Sequence, residues 1–386
     1  VKPREGCPIC ARGELERFLR IDGVPVMTTQ LWADASTADA APRGDLDLAV
    51  CNTCGAIRNL AFDAALVEYT GDYENSQLFS PAFRDYAQAL AVRLVDEFEL
   101  RTGTVLEFGC GKGEFLEMLC AAGCGRAVGF DPSYGGEIDH GEFRDRVRIE
   151  RRLLGSDDVV PADLVVSRHV IEHLEDPFPA VRGLRSATGD PAASLYLEVP
   201  HVRYVLSASG MWDLIYPHVS YFGPESIKTL VRRAGFRPTV CESAFGGQFL
   251  TVRAEPDAAS AEVAVDDEAV AQVLDDVRRF GAEFRDTLTE WQALLSDGDD
   301  TALWGAGAKG VTFLNAVAGG GGIDVVVDLN PRKQGRFLPG TGQQVVSPER
   351  LRERAPARVI VMNPMYRDEV AAALGQMDVA AEVLVA

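Results

Sequence analysis

Three groups of residues in this 386-residue chain have types and spacings suited to chemistry: two cysteine knuckles, two glycine-rich turns and one histidine-containing loop. The knuckles are Cys7-Pro8-Ile9-Cys10 and Cys51-Asn52-Thr53-Cys54. A two-residue gap lets one tight turn aim both sulfurs at a single ion, and two such turns complete a tetrahedral shell. Four thiolates leave no open coordination position, so the expected metal is a structural Zn2+ on Cys7, Cys10, Cys51 and Cys54. Cys110, Cys120, Cys124 and Cys241 lie in apolar or helical contexts and read as core residues.

The first glycine turn, Gly109-Cys110-Gly111-Lys112-Gly113, follows the apolar run Thr104-Val105-Leu106-Glu107-Phe108 and precedes a helix expected from Glu114 to about Ala122. Backbone at such a turn passes close to a ligand, where a side chain would obstruct. Asp131 ends the next run, Arg126-Ala127-Val128-Gly129-Phe130, where an acid can accept both ribose hydroxyls of an adenosine. Loop and acid together fit an adenosine cofactor. NAD uses the same topology, but these glycines are spaced GxGxG with Glu107 just before them. The second turn, Gly305-Ala306-Gly307-Ala308-Lys309-Gly310, does match GxGxxG after a strand, and Asp328 ends the run that follows. A nicotinamide site is one reading of it; close helix-to-strand packing is the other.

The elements that must position these groups follow from periodicity. Ser80-Pro81-Ala82-Phe83 reads as a helix start, continued amphipathically through Tyr86, Leu90, Leu94 and Phe98. Further strands are expected at 162–167 and 194–199, and alternating strands and helices imply a parallel sheet with ligands at its carboxyl ends. Residues 254–268 have the composition of a linker. Beyond them Val273, Val277, Phe280, Phe284, Leu288, Trp291 and Leu294 form the packing seam of a long helix. The third block repeats the α/β pattern at 301–304 and 323–327.

A hydrophobic fraction of 47% and a charged fraction of 25% are those of a globular protein, with length enough for two or three domains. The formal charge of -20 argues against a nucleic-acid partner. No apolar stretch approaches a membrane span, and the first residues lack the core of a secretory signal, so the expected location is cytoplasmic.

Glu107-x-Gly-x-Gly-x-Gly, Gly129-Phe130-Asp131-Pro132-Ser133 and Asp163-Leu164-Val165-Val166-Ser167 together resemble class I S-adenosylmethionine (SAM) dependent methyltransferases. The resemblance implies that Glu107, Gly109, Gly111 and Gly113 border the donor and that Asp131 holds its ribose. It places His169 near the methionine end, and His173, in Glu172-His173-Leu174-Glu175-Asp176-Pro177, in a segment that orients a helix. The order of parts is similar to the sugar C-methyltransferases of deoxysugar biosynthesis, with a terminal signature echoed at Gly305–Gly310, Asp328–Arg336 and Pro339–Thr341. The implied fold is α/β: a Rossmann-like class I core (73–255), a small zinc-binding domain before it (1–72), a linker and long helix (256–298) and a terminal Rossmann-like domain (299–386).

In that family a 4-keto nucleotide sugar is methylated on the neighbouring carbon through an enolate. Its base lies in a Tyr-His-Glu-His segment, matched here by Ile215-Tyr216-Pro217-His218-Val219-Ser220-Tyr221-Phe222 with Pro217 in place of the glutamate and one residue missing. His218 is the candidate base, since a neutral imidazole in a Pro-containing loop suits proton removal. Tyr73 is a second catalytic candidate, able to polarise a carbonyl. Tyr216, Tyr221, Gln248 and Lys309 are candidate contacts for a nucleotide-linked sugar. O- or N-methylation on the same scaffold is the alternative, followed by a nicotinamide oxidoreductase or a non-catalytic binding protein.

Overall fold

Runs of Val, Leu and Ile that are apolar on both faces need cover on both faces, and the chain provides it. The structure, a computed structural model, describes residues 6–68, 74, 76–135, 139–155, 157–190, 192–208, 210–257, 265–317 and 322–386. Its largest sheet has seven strands in the order Phe236–Ala244, Phe249–Pro256, Ser194–Pro200, Leu164–Arg168, Thr104–Phe108, Arg126–Phe130 and Val147–Glu150. The last five are parallel, and the first two form an antiparallel hairpin added at one edge. Val105, Leu106, Leu164, Val165 and Val166 are fully buried between the covering helices.

The helix Pro81–Glu97 starts as expected: the Ser80 hydroxyl accepts from the Phe83 amide, and Pro81 occupies the first turn, where no amide hydrogen is needed. Its Phe83, Leu90 and Leu94 face the sheet. The edge hairpin turns through Phe245, Gly246 and Gly247, all at positive φ. A Cβ on Gly246 would lie 2.4 Å from the Met365 sulfur, so glycine there permits the turn to press against the third block.

The first block forms an antiparallel sheet of Leu15–Pro25, Arg43–Cys51 and Ile57–Asn59, and its fourth strand is Ser220–Tyr221, directly after His218. The third block is a five-stranded parallel sheet in the order Val345–Val346, Ile323–Val327, Thr301–Trp304, Arg358–Val361 and Glu382–Val385. The long helix Asp267–Leu295 buries Val273, Val277, Phe280 and Phe284, the stripe expected of it. One continuous core joins these parts: Leu46 and Leu48, Trp212 and Tyr221, Phe280, and Phe313 and Leu314 all belong to it. Trp212 meets Phe313 edge-on at 4.8 Å, and burying side chains of this size contributes about 1.5–3 kcal/mol each. Among the described residues no helix is long and apolar enough to cross a membrane.

Candidate functional site

A single cavity of about 880 Å3 opens at the carboxyl ends of the central strands, where a parallel α/β sheet binds its ligands. Both glycine turns line it, so the second and third blocks share one site.

On the donor side, Gly111 has φ 55° and a Cβ there would meet nothing within 4 Å, leaving open space above the loop. Gly109 also borders the cavity, but a Cβ on it would strike Val170 at 2.3 Å. Gly113 departs from the expectation. It does not line the cavity; it caps the helix Glu114–Ala121 at φ 81°, and a Cβ would lie 2.4 Å from Ile149. Its glycine serves packing beneath the loop. Asp131 accepts from the Gly111 amide at 2.8 Å and from the Ser133 amide and hydroxyl at 2.8 and 2.6 Å. A carboxylate offers about four acceptor positions, so a ribose would engage Asp131 by displacing the serine hydroxyl. Glu107 is buried with one oxygen unpartnered, and burial pushes its carboxyl up to about 8, with Arg168 opposing and Asp131 and Glu198 adding to the rise.

His169 sits at the end of Leu164–Arg168 with φ 55°. Its ring shares Glu198 with Arg168, at 3.1 Å and 2.9 Å, and stands edge-on to Phe249 at 4.6 Å. Tyr196 at 3.1 Å and Tyr86 complete the shell of Glu198. Burial pulls His169 down, but Glu172 and Glu198 outweigh it and raise it to about 9, so the ring carries a proton at neutral pH.

His218 is buried, borders the cavity, and has no hydrogen-bond partner at Nδ1 among the described residues. Burial, with His173 and His169 nearby, holds it well below the ordinary histidine range, so it is neutral. The His173 ring stands edge-on to it at 4.9 Å, and Nδ1 of His173 donates to the Pro217 carbonyl at 3.0 Å. Gln248 and Lys309 both reach the cavity: Lys309 donates to the Gln248 carbonyl oxygen at 3.1 Å and pairs with Asp213 at 3.1 Å, while Gln248 and Asn363 exchange amide hydrogen bonds.

Two expected acceptor contacts lie elsewhere. Tyr216 packs inside the first sheet, where its hydroxyl accepts from the Asp63 amide at 2.8 Å, and Tyr221 donates to the Ile215 carbonyl at 3.3 Å. Neither borders the main cavity, because the strand Ser220–Tyr221 turns its aromatic neighbours into the core. Tyr73 lies outside the described residues.

The comparisons with known proteins agree with this geometry. Residues 81–240 match the family model described as Methyltransferase domain, and residues 252–385 match the C-methyltransferase C-terminal domain. The chain is a SAM-dependent methyltransferase. It is 26% identical to C-methyltransferase NovU of Streptomyces niveus over 403 residues, which covers 96% of this chain and 92% of that protein. Among solved structures it is similar to a SAM-dependent methyltransferase of Mesorhizobium loti (16% identity, 44% of this chain and 97% of that one, TM-score 0.35). It is also similar to the Burkholderia thailandensis 1,6-didemethyltoxoflavin-N1-methyltransferase (17% identity, 46% and 81%, TM-score 0.35). These last two likenesses are too distant to add to the assignment.

The donor residues of the methyltransferase fit SAM: an open space over Gly111, a buried acid at Glu107 with one oxygen unpartnered among the described residues for an ammonium group, and Asp131 lining the same cavity. The four cysteines fit zinc. Cys7 and Cys54 sulfurs are 3.8 Å apart and Cys10 and Cys51 3.6 Å apart, against about 3.8 Å across a tetrahedron with 2.3 Å bonds. Gly13 is close enough that a Cβ would collide with the Cys51 sulfur at 2.2 Å, and its amide donates to Cys10 at 3.2 Å.

Sequence reasoning passed over several cavity residues of the methyltransferase. Arg168 lines the cavity at the end of its strand, opposite the fully buried Glu198 of the neighbouring parallel strand, and charged residues near two such ends are the signal that was available. Glu74, which pairs with Lys112 of the first glycine turn and with Arg332 of the third block, gives no comparable signal. Glu172 stood in a segment read only as helix-orienting.

Proposed function

We propose that this methyltransferase transfers a methyl group to carbon in a small nucleotide-linked keto sugar, with His218 as the base. The observation that carries the reading is a neutral imidazole on the cavity wall, its Nδ1 unpartnered, in the same cavity as the donor loop. The named relative is a C-methyltransferase, and the C-terminal domain bears that description. Lys112, Lys309 and Arg332 line the cavity of a chain whose net charge is -20, as recognition of a diphosphate requires.

His218 takes the proton from the carbon beside the ketone, and the electron pair of that bond passes into the enolate and then into the new carbon–carbon bond. Bound SAM supplies the methyl group, whose bond to sulfur breaks with its electrons left on S-adenosylhomocysteine. The cavity walls hold the acceptor in line and exclude water, and His218 releases its proton to solvent afterwards. Because His218 is held below its ordinary range, its neutral form prevails from about pH 6.5 upward, and the acid limb of turnover should lie below that value.

The test is washout of a deuterium placed beside the ketone, followed by mass and NMR analysis of the product. His218→Gln should retain fold and S-adenosylhomocysteine binding while turnover falls about 10²-fold or more. Retained label at a methylated oxygen or nitrogen would move the reaction to O- or N-methyl transfer. We also propose that Cys7, Cys10, Cys51 and Cys54 hold a structural zinc. Metal analysis should return about one zinc per chain, lost in Cys51→Ser.

A further inference from the structure

The segment after Leu164–Arg168 and the His218 loop are tied together by two direct hydrogen bonds and by one bridging arginine. The Val219 amide donates to the Glu172 carbonyl at 2.8 Å, and His173 donates to Pro217. Arg58 spans both, donating to the Ser220 hydroxyl and to the Glu175 carbonyl, each at 2.7 Å. In this clamp Glu172 is 1% exposed, and neither carboxylate oxygen has a hydrogen-bond partner among the described residues. A polar atom of Glu172, one of His173 and one of His218 all lie within 4.8 Å of one another. A buried carboxylate without hydrogen bonds is costly, and the ion pair that Glu172 does make, with the His169 ring at 3.7 Å, leaves its second oxygen unengaged among the described residues.

From this arrangement we infer that Glu172 is the positioning carboxylate of the His218 base, supplying the counter-charge that the His218 loop, with Pro217 before the histidine, does not. The inference rests on the reading of His218 as base. When His218 takes a proton it becomes a cation in a buried site already facing the His169 imidazolium. The groups around it are His173 and Glu172 from one segment, His169 beyond them at 3.7 Å from Glu172, Asp213 from its own loop with Lys309 paired to it, and the Tyr221 ring at 5.7 Å. Asp213 is engaged by Lys309 at 3.1 Å, whereas Glu172, 3.7 Å from the His169 ring, makes no hydrogen bond with either oxygen among the described residues and so retains the capacity to offset the new charge.

Two imidazoles and a carboxylate could alternatively ligate a divalent cation. The charge balance disfavours it. Glu172 and Glu198 are matched by His169 and Arg168, and a dication would have to share the cavity with those cations and with a sulfonium donor.

The experiment compares Glu172→Gln, Glu172→Asp, His218→Gln and the double variant, each first shown to bind S-adenosylhomocysteine. Glu172→Gln should lower both turnover and SAM-independent exchange of the acceptor's carbon-bound proton by about 10- to 10²-fold, with KM for SAM unchanged. Removing the negative charge lowers His218 further, so the acid limb should move to lower pH even as the plateau falls. Glu172→Asp should recover part of the rate, and Glu172→Gln should add nothing to His218→Gln. Wild-type exchange and an unmoved pH profile in Glu172→Gln, alongside an inactive His218→Gln, would overturn the role of Glu172 alone. An active His218→Gln would overturn the base assignment beneath it. One equivalent of Mn2+ bound beyond the cysteine cluster, and lost in His218→Gln, would make the cluster a metal site instead.

Discussion

The two glycine turns that line the cavity are built alike. In the first, the Gly111 amide donates to Asp131 at 2.8 Å, and the other carboxylate oxygen accepts from the Ser133 amide two residues on. In the second, the Ala306 amide donates to Asp328 at 2.8 Å, and the other oxygen accepts from the Asn330 amide, again two residues on. They differ in what fills the remaining acceptor positions. Asp131 holds the Ser133 hydroxyl, a neutral group that a ribose can replace. Asp328 holds Lys333, a buried cation 3.4 Å away that also donates to the Ala306 carbonyl. Displacing it would strand an ammonium in the interior, at a cost of several kcal/mol. The third glycine of the second turn also has a packing reason, since a Cβ on Gly310 would lie 2.1 Å from the Gly305 carbonyl oxygen. A glycine fingerprint therefore describes a backbone; the partner of the acid decides whether a nucleoside can enter.

Paired substitutions should break the likeness most sharply. If Asp131 holds the donor's ribose as proposed, Asp131→Ala removes two hydrogen bonds, worth about 1.5 kcal/mol each or more when charged, and should weaken S-adenosylhomocysteine binding about 10²-fold. Asp328→Ala leaves Lys333 without its counter-ion, so it should lower the melting temperature yet leave that affinity unchanged in the folded fraction. Calorimetric titration of both variants checks this. Comparable losses in the two would mean that the second turn contributes to donor binding, and NADH binding to wild type would restore the nicotinamide reading of Gly305–Gly310.

The parts legible in the sequence are those whose cause is local. The strands Thr104–Phe108, Arg126–Phe130, Thr301–Trp304 and Ile323–Val327 fall where apolar runs meet Gly or Asp, because a parallel strand buried on both faces must be written that way. Ser80 and Pro81 announce a helix start for equally local reasons. The first sheet was not legible, since its fourth strand, Ser220–Tyr221, comes from far along the chain. That capture also explains Tyr216 and Tyr221, aromatic neighbours of His218 whose side chains belong to the core. Gly113 follows a similar logic: its spacing suggests a ligand, whereas its Cβ position is filled by Ile149. Glu172 was invisible because its importance lies in being buried beside His169, His173 and His218 without a hydrogen bond among the described residues, which only packing reveals.

The remaining contrast between the turns lies two residues before the first glycine, where the donor turn has Glu107 and the second turn has the fully buried Leu303. Burial pushes Glu107 up to about 8, so without donor the carboxyl is largely protonated at pH 7. The ammonium group of the donor favours the carboxylate. Binding should therefore release a proton at neutral pH, and affinity should rise with pH until Glu107 is already ionised. For a group titrating near 8, the gain between pH 7 and pH 8 is about fivefold, smaller than the effect of Asp131→Ala. S-adenosylhomocysteine titrated in buffers of different ionisation heat would count the proton directly. Glu107→Gln should abolish both the proton release and the pH dependence while keeping the side chain's size. Affinity that stays flat from pH 6 to pH 8 in wild type would show that Glu107 packs, as Leu303 does, and would leave the ammonium of the donor to another partner.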